Sequence, residues 1–275
     1  MTIPMKNINR LKCLVLSILV MVGTLQSLFA NNDQTGAQSS AKHIVFLISE
    51  DPLNYEADIT IPPFAETLRT KFGFRVTVIQ GSGTHTQYQF PQLETLEKAD
   101  LLVVFCRRLA LPFQQMEQIK NYIRSGKPVV GIRTANHGFS NWDEPVSGYE
   151  GWWGFVPDVL GCENKGYEPE ELGVDVEIAA NASNHEILKN INVTNWHSNG
   201  SLYKVGPLAD KRAQVILNGK TKNMTDPVAW TRKTYHQGRV FYTSLGYPQD
   251  FEQEPFRKLL ENGIHWALQV PVPAN

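Results

Sequence analysis

The sequence predicts an α/β fold, a mostly parallel sheet with helices on both faces and antiparallel strands toward the C terminus. Three observations predict it. Apolar, β-branched runs begin at residues 43, 74, 100 and 128, a spacing close to the roughly 30 residues of a strand–helix–strand unit. Two of the intervals between them carry apolar residues at helical period. After about residue 170 the pattern becomes rich in short strands, as expected for antiparallel additions to a parallel sheet.

The first thirty residues read as an export signal: Lys6, Arg10 and Lys12 precede an uncharged apolar run over 14–29. That run is too short, and too interrupted by Gly23, Thr24, Gln26 and Ser27, to favour a membrane span. Cleavage fits after Ala30 or after Ala37, and an uncleaved N-terminal anchor is the alternative. Residues 31–41 (NNDQTGAQSSA) are small and polar, a flexible lead-in. A single domain is expected over 42–270.

HIVFLIS (43–49), FRVTVIQ (74–80), DLLVVFC (100–106) and PVVGI (128–132) are nearly continuous apolar runs, the pattern of strands buried on both faces. Between the first two, Pro62 and Pro63 suit a first helical turn, Phe64, Leu68 and Phe72 share a face, and Gly73 supplies the stop. Pro112 opens a second helix, with Phe113, Met116, Ile119 and Ile123 in one stripe and Gly126 at its end. VDVEIA (174–179) and RAQVILNG (212–219) read as strands. PVAWTRK (227–233) and RVFYTSLG (239–246) flank a turn near Gln237-Gly238, as a hairpin does. A last helix begins near Pro255, with Phe256, Leu259, Leu260, Ile264 and Ala267 on one face.

The chain carries 26 basic and 27 acidic residues, and three of the basic ones lie in the export signal. Such a balance offers no nucleic-acid surface. Cys106 and Cys162 remain after export, either as a bridge or as two buried thiols. No Cys/His spacing suggests a zinc site, and no metal or other cofactor is expected.

In an open parallel sheet, ligands bind beyond the carboxyl ends of the strands. Those positions hold Glu50 and Asp51, Arg107 and Arg108, the run Arg133-Thr134-Ala135-Asn136-His137, and Gly246-Tyr247. Gly131 to Ala135 has the shape of a nucleophile elbow with Arg133 at its centre. A guanidinium is neither nucleophile nor base, so Arg133 and Arg107 suit the holding of a substrate oxygen. Thr134 orders the turn or, less simply, serves as nucleophile. His137 is a candidate acid/base group with Glu50, or a histidine that only orders its loop. Trp142, Tyr149, Trp152 and Trp153 offer flat apolar faces of the kind that stack on sugars, or anchor a long loop. His43, His185, His197, His236 and His265 fit structural positions.

The segments KPVVGIRTANHGF (127–139), NHEILKNI (184–191), SLYKV (201–205), DPVAWTRKTYHQGRVFYTSLGYPQDF (226–251) and FRKLLENGIHWAL (256–268) resemble the ThuA-like (trehalose utilisation) family. The resemblance implies a class I glutamine amidotransferase-like (flavodoxin-like) sheet and a role in carbohydrate catabolism, acting on a disaccharide or keto-sugar derivative. It maps the family's elbow residue onto Arg133, its loop histidine onto His137 and its Ser-Leu-Gly-His segment onto residues 244–247, and with Thr134, Asn136 and Trp142 these are expected around a small-molecule carbohydrate. Many relatives carry histidine where this chain has Arg133, and Tyr247 and Tyr167 likewise stand where imidazoles are usual. Losing imidazoles removes general bases, so a sugar-binding protein without catalysis is the alternative expectation.

Overall fold

The structure, a computed structural model, describes residues 41–273. The export signal read in residues 1–30 and residues 31–40 of the lead-in lie outside the described residues. Thirteen strands occur in chain order: β1 (His43–Ile48), β2 (Arg75–Gln80), β3 (Ser82–Thr84), β4 (Gln87–Gln89), β5 (Leu101–Phe105), β6 (Leu111–Pro112) and β7 (Val129–Ile132) in the first half. The second half adds β8 (Tyr149–Glu150), β9 (Val174–Ile178), β10 (His197–Ser198), β11 (Gln214–Lys220), β12 (Thr225–Lys233) and β13 (Arg239–Thr243). Nine of them form one sheet in the order β10-β9-β11-β12-β13-β7-β5-β1-β2.

Within that sheet β2, β1, β5, β7 and β13 are mutually parallel. Taken in chain order these five stand 2-1-3-4-5, the flavodoxin-like arrangement. The remaining four strands add antiparallel pairs beyond β13. The expected hairpin is present, with Lys233 opposite Arg239, and its second strand doubles as the last parallel strand.

Strand alternation divides the core in two. Ile44, Phe46 and Ile48 face α1 (Ala57–Phe72) and α3 (Glu254–Leu268), while Val45 and Leu47 face α2 (Phe113–Arg124). Helices therefore cover both faces of the parallel half, as near-continuous apolar strands require.

Two details differ from the sequence reading, and a third concerns a crossover for which it predicts no element. Helix α1 starts at Ala57, so Pro62 and Pro63 lie inside it. Its buried stripe runs through Ala57, Ile61, Phe64, Ala65 and Leu68, and burial of that extra turn outweighs the two lost amide donors. The second crossover contains no α-helix. Gly81, Gly83 and Pro91 interrupt any helical run, and the chain forms the β3–β4 hairpin and a 3-10 segment, Leu93–Lys98. Phe113 begins α2 but is 55% exposed, outside the stripe expected to include it. Cys106 and Cys162 are both buried free thiols.

Candidate active site at the strand ends

The carboxyl ends of β1, β5 and β7 are tied together by one side chain. Asn54 Nδ2 donates to the carbonyls of Ser49 and Phe105, each at 2.9 Å, and its Oδ1 accepts from the Thr134 hydroxyl. All three groups are buried, so the knot holds three loops in register without water. Thr134 is thus committed to ordering the turn.

The turn after β7 is a sharp elbow. A Cβ on Gly131 would stand 2.8 Å from the Tyr242 ring, so only glycine fits there. Arg133 sits at φ 44°, left-handed backbone that costs a side-chain-bearing residue on the order of 1–3 kcal/mol. The Tyr242 hydroxyl donates to the Arg133 carbonyl at 2.7 Å and helps fix that conformation.

The Arg133 side chain turns inward and is 1% exposed. Its guanidinium carbon lies 4.0 Å from the ring centre of Tyr55, 4.9 Å from that of Tyr203 and 5.6 Å from that of Tyr247. Nη1 donates to the Ser244 carbonyl at 2.9 Å and Nη2 to the Ser201 hydroxyl at 3.4 Å. Arg133 therefore braces the loop after β13 from within a cage of tyrosines, a cation–π arrangement that partly replaces hydration. Two left-handed residues, Tyr55 and Glu56, bring the first of those rings into place just before α1. Asp250 finishes the same loop: its Oδ2 accepts from Ser198 Oγ and from the amides of Gly246 and Tyr247.

Four residues on, His137 is 3% exposed. Its Nδ1 contacts Asn136 Oδ1 and lies 3.0 Å from Asn164 Nδ2. Nδ1 thus faces one acceptor, Asn136 Oδ1, and one donor, Asn164 Nδ2, while Nε2 has no hydrogen-bond partner among the described residues; in the tautomer whose Nδ1–H donates to Asn136, the free lone pair is on Nε2. Burial, reinforced by the charges of Arg108, Arg107 and Arg133, pushes the His137 pKa well below its ordinary value. At neutral pH the imidazole is uncharged and able to accept a proton.

Two cavities meet at this histidine. The larger, about 600 Å3, is lined by Arg108, Asn136, His137, Trp142, Trp153 and Tyr167 among others. The smaller, about 390 Å3, is lined by Tyr55, Arg107, His137, Tyr167, Glu170 and Tyr247 among others. His137 and Tyr167 belong to both. In the larger, Trp142 is 70% exposed and lies face-on over Arg108, whose guanidinium carbon is 3.4 Å from the ring centre. In the smaller, Arg107 Nη1 donates to Asp51 at 3.2 Å beside His85, and the Tyr247 hydroxyl donates to Glu170 at 2.9 Å. Among the described residues no group of three His, Cys, Asp or Glu is placed to share a metal ion.

The structure thus brings Arg107, Asn136, His137, Trp142 and Tyr247 to the cavity walls, and sets Arg133 and Thr134 behind them. Glu50 lies elsewhere: it is exposed at the end of β1, bonds Gln80 Nε2 at 2.9 Å, and lines neither cavity. Its neighbour Asp51 points inward instead, a choice set by which way the chain turns after the strand. Tyr149 pairs in β8, and Trp152 packs on Phe155. Sequence reasoning missed Asn54, Tyr55, His85, Asn164 and Tyr203. The Asn-Tyr pair just beyond the first strand end was the available signal for two of them, whereas His85 arrives through the unexpected hairpin crossover.

A model of the family described as trehalose utilisation (ThuA) matches residues 47–267. Among solved structures, a ThuA-like protein from Bacteroides uniformis superposes with a TM-score of 0.62 at 16% identity, covering 83% of this chain and 93% of that one. A ThuA-like protein from Parabacteroides merdae gives 0.60 at 14% identity, covering 86% and 92%. At such identities the likeness concerns the fold. No curated protein matches the chain.

Proposed function

Because the chain belongs to the ThuA (trehalose utilisation) family, we propose that it is an exported protein of carbohydrate metabolism that acts on a disaccharide or keto-sugar derivative by proton transfer at His137. The observation that carries this reading is the placement of one buried, neutral imidazole on the shared wall of two cavities, with Trp142, Trp153 and Tyr167 around the larger. Aromatic faces suit the apolar C–H face of a pyranose. A neutral imidazole whose Nδ1 is fixed by Asn136 presents Nε2 as the base. On a keto-sugar, Nε2 takes the proton from the carbon beside the carbonyl, the C–H electron pair becomes the new carbon–carbon double bond, and the carbonyl π pair moves onto oxygen to give an enolate.

The pattern of residues 1–30 supports action outside the cytoplasm. Arg133 supports the proton-transfer reading by elimination, because the elbow residue is buried and cannot serve as a nucleophile.

A second reading, binding without turnover, draws on one observation: Glu50, the other acid/base candidate, lines neither cavity. Calorimetry with trehalose and a 3-keto glycoside, followed by turnover of the same compounds by wild type and His137→Ala, separates the two. Turnover that drops by roughly 100-fold or more in the variant supports His137 as the base. Binding with no turnover by wild type establishes the second reading, and equal turnover in both proteins removes His137 from the chemistry.

A further inference from the structure

Arg108 stands at the inner wall of the larger cavity in an unusual electrostatic position. It is 7% exposed, has a left-handed backbone (φ 54°), and donates through Nη1 to the Ser140 carbonyl at 3.0 Å. Among the described residues no carboxylate forms an ion pair with it, and its Nε is buried without an acceptor. Asn136 repeats the pattern. Its Oδ1 is engaged by His137, while its Nδ2 is buried and unpartnered.

Both residues line the same cavity. The other charges nearby do not compensate Arg108. Arg107 is neutralised by Asp51, and the cavity's one carboxylate, Glu163, is 61% exposed on its side chain and faces Lys165 at 3.7 Å. Buried charges and buried donors are ordinarily paired, because leaving them unpaired forfeits hydration with nothing in return. A cavity wall that holds a guanidinium without a counter-charge, its Nε lacking an acceptor, beside an unpartnered amide donor is complementary to an anion, and Arg offers a planar donor edge suited to a carboxylate.

We propose that the ligand of this cavity is a sugar acid, a carbohydrate whose carboxylate is received by Arg108 and Asn136 while its ring lies against Trp142 and Trp153. The proposal rests on the carbohydrate reading above and narrows it to an anionic substrate class.

Calorimetric titration of the purified protein at pH 7 with glucuronate and with glucose tests it, since the two share a ring and differ in the carboxylate. Glucuronate is expected to bind at least about tenfold more tightly. That preference is expected to collapse in Arg108→Met, to shrink in Asn136→Ala, and to weaken as NaCl is raised from about 50 to about 500 mM. Circular dichroism shows whether each variant folds. Should Arg108→Met not fold, the wild-type preference and its salt dependence decide the matter alone. Equal affinity for the two sugars overturns the proposal and leaves the carbohydrate reading standing. Failure of glucuronate, glucose and trehalose alike to bind removes both.

Discussion

The buried imidazole of His137 makes the stability of the fold depend on pH. In the unfolded chain its imidazole takes up a proton as the pH falls below about 6.5, whereas in the folded protein burial and three arginines keep it neutral. Its contribution is therefore intact above pH 6.5 and is lost on acidification, at about 1.4 kcal/mol per pH unit until the lowered folded value is reached. Urea denaturation at pH 7.0 and pH 5.5 is expected to show a steeper acid loss in wild type than in His137→Gln. Burial also raises the pKa of both thiols, Cys106 and Cys162. Neither is expected to react with a thiol reagent at neutral pH until the protein unfolds, and rapid native-state labelling would contradict the buried placement. At this scale the sequence was informative about residue type at the strand ends and silent about direction. Glu50 and Asp51 are chemically alike, and only the path of the turn decides which one meets Arg107.

Among the local elements, the knot at Asn54 carries the most consequence for its size. Asn54→Ala removes two bonds to strand-end carbonyls and strands the Thr134 hydroxyl, so a loss of about 2–4 kcal/mol is expected from chemical denaturation. Asn54→Asp keeps the acceptor for Thr134 but puts a buried charge against two carbonyl oxygens, and is expected to cost at least as much. The helices and strands of the parallel half were legible because their cores are apolar and periodic. Their beginnings were less so. Pro62 and Pro63 signal a helix start by local preference, yet Ala57 and Ile61 add a buried turn before them, and tertiary burial prevailed. The hairpin in the second crossover has too few apolar positions to announce itself.

For the molecule as a whole, the parallel strands bring Asp51, Arg107, Arg133 and His137 to one rim of the sheet, where order 2-1-3-4-5 opens a crevice. That much followed from the spacing of apolar runs. How the antiparallel strands continue the sheet beyond β13 did not, since pairing order among short strands is set by contacts far apart in sequence. A ligand that binds only the folded state stabilises it by mass action. A sugar present at a hundred times its Kd is expected to add about 2.7 kcal/mol, raising Tm by roughly 5–10 °C for a domain of this size. No shift with any neutral or acidic sugar would count against a carbohydrate site. Tyr167 and His137 line both cavities, so the two spaces share these side chains as common wall. Cutting Tyr167 back to alanine is expected to widen the space beside His137, so that a ligand too bulky for either cavity alone gains affinity over wild type in calorimetry, and unchanged affinity would show that the ring does not limit access.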